Sequence, residues 1–157
     1  MKGEALFREH GSQVAALCWR TGRRGLEVLL ITSRKSKRWI LPKGWPEPEL
    51  SMAENAAREA FEEAGVIGMI DTLSVGNYHY LKERREGGGI PCHVEVFALA
   101  VTTQLSDWPE KKLRTAAWMT LNEAITKVSE QGVRAILKNF HQSQAARGLG
   151  VSRHKRL

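Results

Sequence analysis

Fifteen residues in the first half of the chain, SMAENAAREAFEEAG from Ser51 to Gly65, restrict its folding more than any other stretch. Ser51 followed three positions later by Glu54 is a capping box that starts a helix. Alanine and glutamate favour its continuation, and Gly65 suits its end. The spacing predicts a helix over 52–64. At about 100° per residue, Ala53, Ala57, Ala60 and Ala64 fall on one narrow stripe that can lie close against a sheet. Glu59, Glu62 and Glu63 cover an arc of about 100° on the other side. Glu59 and Glu63 stand at i and i+4, where like charges repel by a few tenths of a kcal/mol. Two readings account for them: a solvated acidic face, with Arg58 to neutralise it, or a face that holds a hard divalent cation such as Mg2+. On spacing alone the solvated face is the simpler reading.

The helix is set among strands. Residues 13–20 and 26–33 are apolar runs separated by the turn TGRRG, which predicts a hairpin. Pro42, Gly44, Pro46 and Pro48 keep the next stretch irregular until the helix begins. After the helix, VIGMIDTLSVGNYHYL reads as one or two strands and KERREGGG as a hairpin tip. Residues 91–103 read as a strand, LSDWPEKKLR as a loop and AAWMT as a short strand. Asn122 or Thr120 then caps a last helix through about residue 144. Ala124, Val128, Val133, Ile136, Leu137 and Phe140 give that helix an apolar face, and Gly132 bends or divides it. This order implies a mixed sheet with helices packed on it. The 157 residues suit one domain, over 1–145, with a basic, flexible tail at 146–157.

Charge and cysteine content narrow the setting. There are 24 Lys and Arg against 17 Asp and Glu, a net charge of +7, so polyanions are the expected partners. Phosphate-rich small molecules come first; nucleic acid is a weaker candidate. No apolar run approaches the roughly 20 residues of a membrane helix, and no secretory apolar segment opens the chain, so a cytosolic protein without membrane contact is expected. Cys18 and Cys92 read as reduced core thiols.

The run Arg58-Glu59-Ala60-Phe61-Glu62-Glu63-Ala64-Gly65-Val66 resembles the second half of the Nudix box, R-E-U-x-E-E-x-G-U with U apolar, at every defined position. Gly44 lies where that box begins. WILPKG before the helix and AAWMTLNEA before the last helix extend the resemblance to Nudix hydrolases over nearly the whole chain. RWILPKGWPEP and SDWPEKK are similar to the diphosphoinositol polyphosphate and diadenosine polyphosphate phosphohydrolase branch. The box has one departure: counting from Gly44, Leu50 stands where its first glutamate belongs, and Glu49 is one position early.

The resemblance implies an α/β fold of Nudix type, an α/β/α sandwich whose mixed sheet carries helices on both faces. It implies metal-dependent hydrolysis of a pyrophosphate bond in a diadenosine or diphosphoinositol polyphosphate. Glu59 and Glu63 become principal ligands of Mg2+ or Mn2+, and Glu62 a ligand or the general base. Arg58 orients a box carboxylate, and the Gly44 carbonyl is a further ligand. Arg34, Lys37, Arg38 and Lys43 edge this site as phosphate-binding candidates, ahead of His79, Lys82, Arg84, Arg85 and His93. Glu95 is a further carboxylate able to approach the metal from a strand. Two other readings are a pyrophosphatase for nucleoside triphosphates, nucleotide sugars or RNA 5′ ends, and a non-catalytic nucleotide- or RNA-binding module.

Overall fold

The computed structural model describes residues 11–141. The basic tail at 146–157 and the predicted end of the last helix near 144 lie outside them. Eight strands form one mixed sheet: β1 (Ser12–Gly22), β2 (Gly25–Thr32), β3 (Trp39–Ile40), β4 (Lys43–Gly44), β5 (Val66–Ile70), β6 (Gly76–Glu83), β7 (Gly89–Gln104) and β8 (Ala116–Thr120). β7 runs parallel to β1 from Ser12↔His93 to Trp19↔Ala100, and the other pairings are antiparallel.

β1 and β2 pair only near their turn, from Trp19↔Val28 to Gly22↔Gly25. Beyond that they splay, and the proline-bearing segment fills the opening: β3 pairs with β2, and β4 with β1. This wedge carries Lys43 and Gly44 to the carboxylate helix.

That helix, α1 (Met52–Glu59), begins with the predicted capping box between Ser51 and Glu54. It continues as a single π-helical turn over Ala60–Ala64 and stops at Gly65, whose φ of 69° is left-handed. The Gly65 N–H reaches back to the Ala60 carbonyl, and such π-turns recur at functional sites. The buried stripe is Ala53, Ala56, Ala60 and Ala64. Ala57, predicted in it, is only half-buried. The helix is rolled toward the loop before it, because the fully buried Asn55 is tied to that loop.

Two cores flank the sheet. Val14, Ala16, Cys18, Leu29, Ile31, Phe97 and Leu99 pack beneath α1. Ala15, Leu17, Val28, Leu30, Val94 and Val96 pack beneath α2 (Leu121–Lys127) and α3 (residues 131–141). The expected sandwich with helices on both faces is present. The last helix is two: Thr120 caps α2 with Glu123, and Val128 turns to extended backbone. The break therefore precedes Gly132, which sits inside α3 against Tyr78. Both cysteines are free and buried, and no described helix is long and apolar enough to cross a membrane.

Candidate active site

Four segments converge at the open end of the β1–β2 splay: β4, α1, the turn after β2, and the loop before β8. They enclose a cleft of about 470 Å3. Glu59 and Glu63 reach it from α1 and its π-turn, only 7% and 6% exposed. The Lys43 backbone N–H donates to Glu63 Oε1 at 3.1 Å, and Arg114 Nη2 donates to Glu63 Oε2 at 3.3 Å. The backbone of Gly44 passes so close to Glu59 that a Cβ there would lie 2.5 Å from Glu59 Cδ. Glu62 stands on the flank of the helix, half-exposed and outside the cleft lining.

Arg58 gathers the carboxylates. Its Nη1 lies 3.0 Å from Glu47 Oε1, its Nη2 3.5 Å from Glu59 Oε2, and its Nε 3.6 Å from Glu62 Oε1. The sequence comparison pointed to Leu50 or Glu49 for the carboxylate that supports this loop. Leu50 instead lies in a surface groove with Ala57 and Phe61, and Glu49 is exposed. Glu47 takes the arginine, and Asn55 closes the loop. The Asn55 side-chain amide donates to the carbonyls of Glu47, Leu50 and Ser51, while its Oδ1 accepts from the Glu47 N–H. Asn55→Ala is expected to destabilise the chain by about 2 to 3 kcal/mol, because it strips several buried partners at once. Urea unfolding measures this, and a loss below about 0.5 kcal/mol, the low end for one hydrogen bond, would deny Asn55 that role.

Among the predicted phosphate contacts, Arg34 and Lys43 line the cleft, whereas Lys37 and Arg38 do not. The turn closes on itself instead. Lys37 is left-handed at φ 56°, and Arg38 donates from its backbone N–H to Ser33 Oγ and from Nε to Ser36 Oγ, both at 3.0 Å. Lys82 also lines the cleft, and Glu95, His79 and His93 do not. Sequence reasoning missed Arg114. It is 10% exposed in its side chain and bridges Glu63, Glu110 and the Thr32 carbonyl. Its only signal was one more basic residue in a charged loop.

The electrostatics suit a cation. Burial pushes the Glu59 carboxyl up, with the Glu62 charge adding and Arg58 opposing. Burial also raises Glu63 to about 7, against the pull of Arg114 and the Lys43 N–H. A pair of buried carboxylates, each beside one guanidinium and with the Gly44 main chain against Glu59, is an all-oxygen donor set of the kind Mg2+ accepts. Among the described residues no three Asp, Glu, His or Cys side chains converge to hold a metal. Such a site leaves coordination positions to water and phosphate, as Mg2+ prefers.

Metal-free stability should carry the mark of Glu63. Folding raises its carboxyl from 4.5 to about 7, so the folded chain holds that proton more tightly than the unfolded one. The contribution is complete below pH 4.5 and is lost as pH rises through about 7. It is on the order of 3 kcal/mol. Melting in chelator should show Tm falling from pH 5 to pH 8, a slope flattened in Glu63→Gln. Identical slopes in the two proteins would contradict the assignment.

A three-layer α/β/α domain that sets buried carboxylates of one helix beneath a cation-rimmed cleft is thus the class to which this chain conforms. The chain belongs to the Nudix family: the NUDIX domain pattern matches residues 10–140. It is 36% identical over 121 residues to Nudix hydrolase 12, mitochondrial, of Arabidopsis thaliana, covering 73% of this chain and 58% of that protein. It is also 36% identical over 115 residues to diphosphoinositol polyphosphate phosphohydrolase 3-beta of Bos taurus, covering 72% and 66%. The chain therefore spans little more than half the length of the first of these relatives. Solved structures agree on the fold. The C. elegans Ap4A hydrolase binary complex superposes with a TM-score of 0.64 at 20% identity, over 86% of this chain and 98% of that one. A NUDIX hydrolase from Nitrosomonas europaea gives 0.66 at 21% identity, over 84% and 88%.

Proposed function

We propose that the chain is a divalent-metal-dependent pyrophosphohydrolase of a highly phosphorylated small molecule, with Mg2+ or Mn2+ held by Glu59, Glu63 and the Gly44 carbonyl. The observation that carries this reading is the pair of buried carboxylates facing Arg34, Lys43, Lys82 and Arg114 across one cleft. Bound there, the cation would offset the phosphate charge and acidify a water. The basic rim then orients the remaining phosphates. Glu62 lies outside the cleft lining, so it would serve as base by turning inward. Water would then attack one phosphorus, its proton passing to Glu62, and the P–O bond to the leaving phosphate would break with its electron pair on that phosphate. Arg58 holds Glu62 and Glu59 in register. Its Nε is buried without a hydrogen-bond acceptor, so an inward shift of Glu62 from 3.6 Å would give it one.

Of the two substrate classes, the cleft favours diphosphoinositol polyphosphates over diadenosine polyphosphates. A stacked nucleobase uses an aromatic face, and among the described residues the aromatic that lines the cleft is Trp45, with Tyr80 engaged by the cleft residue Lys43. Lys43 Nζ lies 4.6 Å from the Tyr80 ring centroid and Lys82 Nζ 5.5 Å from that of Trp45. Gly11 packs against the edge of Trp45, and Tyr80 is tied through its hydroxyl to Gln13 at 2.6 Å. The rim offers the cationic groups of Arg34, Lys43, Lys82 and Arg114 to several phosphates. The buried free thiols support a reducing, cytosolic setting as part of this proposal.

Chromatographic quantification of the hydrolysis products of diphosphoinositol polyphosphates, diadenosine polyphosphates, nucleoside triphosphates, nucleotide sugars and 5′-triphosphate RNA tests the reading, with Glu62→Gln in parallel. Mg2+-dependent hydrolysis fastest on the inositol compounds, lowered about 100-fold or more in Glu62→Gln, is expected. Equal rates for wild type and Glu62→Gln on every substrate would end the catalytic reading. A preference for a nucleotide would end the inositol assignment alone.

A further inference from the structure

Outside the cleft, four polar side chains at one end of the β6–β7 pair form a continuous hydrogen-bonded line. His79 and His93 are directly opposite each other. The His93 N–H is committed to the Gly11 carbonyl on the β1 side at 2.9 Å, so the pair is of the non-hydrogen-bonded kind, in which side chains stand closest. Glu95 follows two residues later on the same face of β7. His93 Nε2 and Glu95 Oε1 are 3.1 Å apart, His93 Nδ1 and His79 Nε2 also 3.1 Å, and Ser74 donates its hydroxyl to Glu95 Oε2. The imidazole rings meet edge to face with centroids 4.8 Å apart.

The direction of this line matters. With His93 Nε2 donating to Glu95, Nδ1 is the ring nitrogen turned toward His79 Nε2. A histidine that donates its far N–H to a carboxylate and presents its other nitrogen to a second imidazole has the arrangement of a metal ligand with its supporting anion. Two imidazole nitrogens on one tetrahedral ion, each at about 2.0 to 2.1 Å, stand about 3.4 Å apart. The observed 3.1 Å needs only a small opening. Imidazole nitrogen selects Zn2+, Cu2+ or Ni2+ rather than Mg2+, so the site differs in chemistry from the oxygen-lined cleft, which none of the four residues lines.

We infer that His79 and His93 form a transition-metal site that ties β6 to β7, with Glu95 and Ser74 fixing the His93 tautomer. Water completes the coordination, since no third ligating side chain converges among the described residues. The ion would brace the hairpin whose Lys82 reaches the cleft.

Calorimetric titration of the full chain with ZnCl2, in excess MgCl2 to occupy the carboxylates, tests the site. Uptake of one Zn2+ is expected, weakened at least about 10-fold in His79→Asn and in His93→Asn, and about 10-fold in Glu95→Gln. Cu2+ bound to the wild-type chain should show electron-resonance couplings to two nitrogens, a readout that requires no variant. Absence of those couplings, absence of Zn2+ uptake, or uptake unchanged in both histidine variants would overturn the site. The last result would place the metal on the carboxylates or on another histidine.

Discussion

Glu59→Gln and Glu63→Gln are each expected to lower kcat/KM for pyrophosphate hydrolysis at least about 100-fold, beyond the usual effect of removing a mere supporter of a metal ligand. The substitution keeps the shape of the side chain, removes its charge and turns one acceptor oxygen into an NH2 donor. In Glu63→Gln the amide oxygen can still accept from the Lys43 N–H, which Glu63 Oε1 now receives at 3.1 Å, whereas the amide NH2 cannot accept from Arg114 as Oε2 does. The fold should survive, and metal-free Tm at pH 8 should equal or exceed wild type, because a carboxyl that burial raises to about 7 no longer has to ionise inside the protein. Stabilisation by added Mg2+ should disappear in both variants. Lost activity with retained metal-free stability is the signature of a ligand. More than a tenth of wild-type activity in both variants would remove these carboxylates from the mechanism.

Gly44→Ala is expected to reproduce most of that loss without touching a charge. A Cβ at Gly44 would lie 2.5 Å from Glu59 Cδ, far inside contact distance, so the carboxylate must leave its place. Activity and Mg2+ affinity should fall about 10 to 100-fold, as when the support of a metal ligand is removed. The backbone of β4 is extended and carries no positive φ, so alanine itself is tolerated and metal-free Tm should change little. The double variant Gly44→Ala with Glu59→Gln should be scarcely worse than Glu59→Gln alone, since both act on one group. Additive losses would mean that Gly44 acts by another route.

Most of the helix face was legible because its signals are local. The capping box from Ser51 to Glu54, the stop at Gly65 and the grouping of Glu59, Glu62 and Glu63 depend on residues within one or two turns of each other. Reading fell short where a partner lies far off in the chain or where backbone geometry changes. The π-turn over Ala60–Ala64 and the roll that buried Ala56 in place of Ala57 are responses to packing. The division of the last helix fell ahead of Gly132, because Val128 adopts extended backbone and bridges to Trp39. Leu50 drew attention as a gap in a pattern, yet Glu47 and Asn55 support that loop through the folded geometry. Lys37 and Arg38 shared the promise of Arg34 until the turn from Ser33 to Arg38 closed and left Arg34 alone at the cleft.

By itself the sequence determined the alternation of strands and helices, the existence of a carboxylate face and the basic character of its surroundings. Each of these follows from periodicity, capping and charge along short spans. Only the tertiary structure decided which charges meet. Glu63 joins Lys43, 20 residues away, and Arg114, 51 residues away, because β1 and β2 splay and let β4 in beside the helix. Burial then raises the carboxyls. That shift arises from desolvation, which no local run of residues encodes.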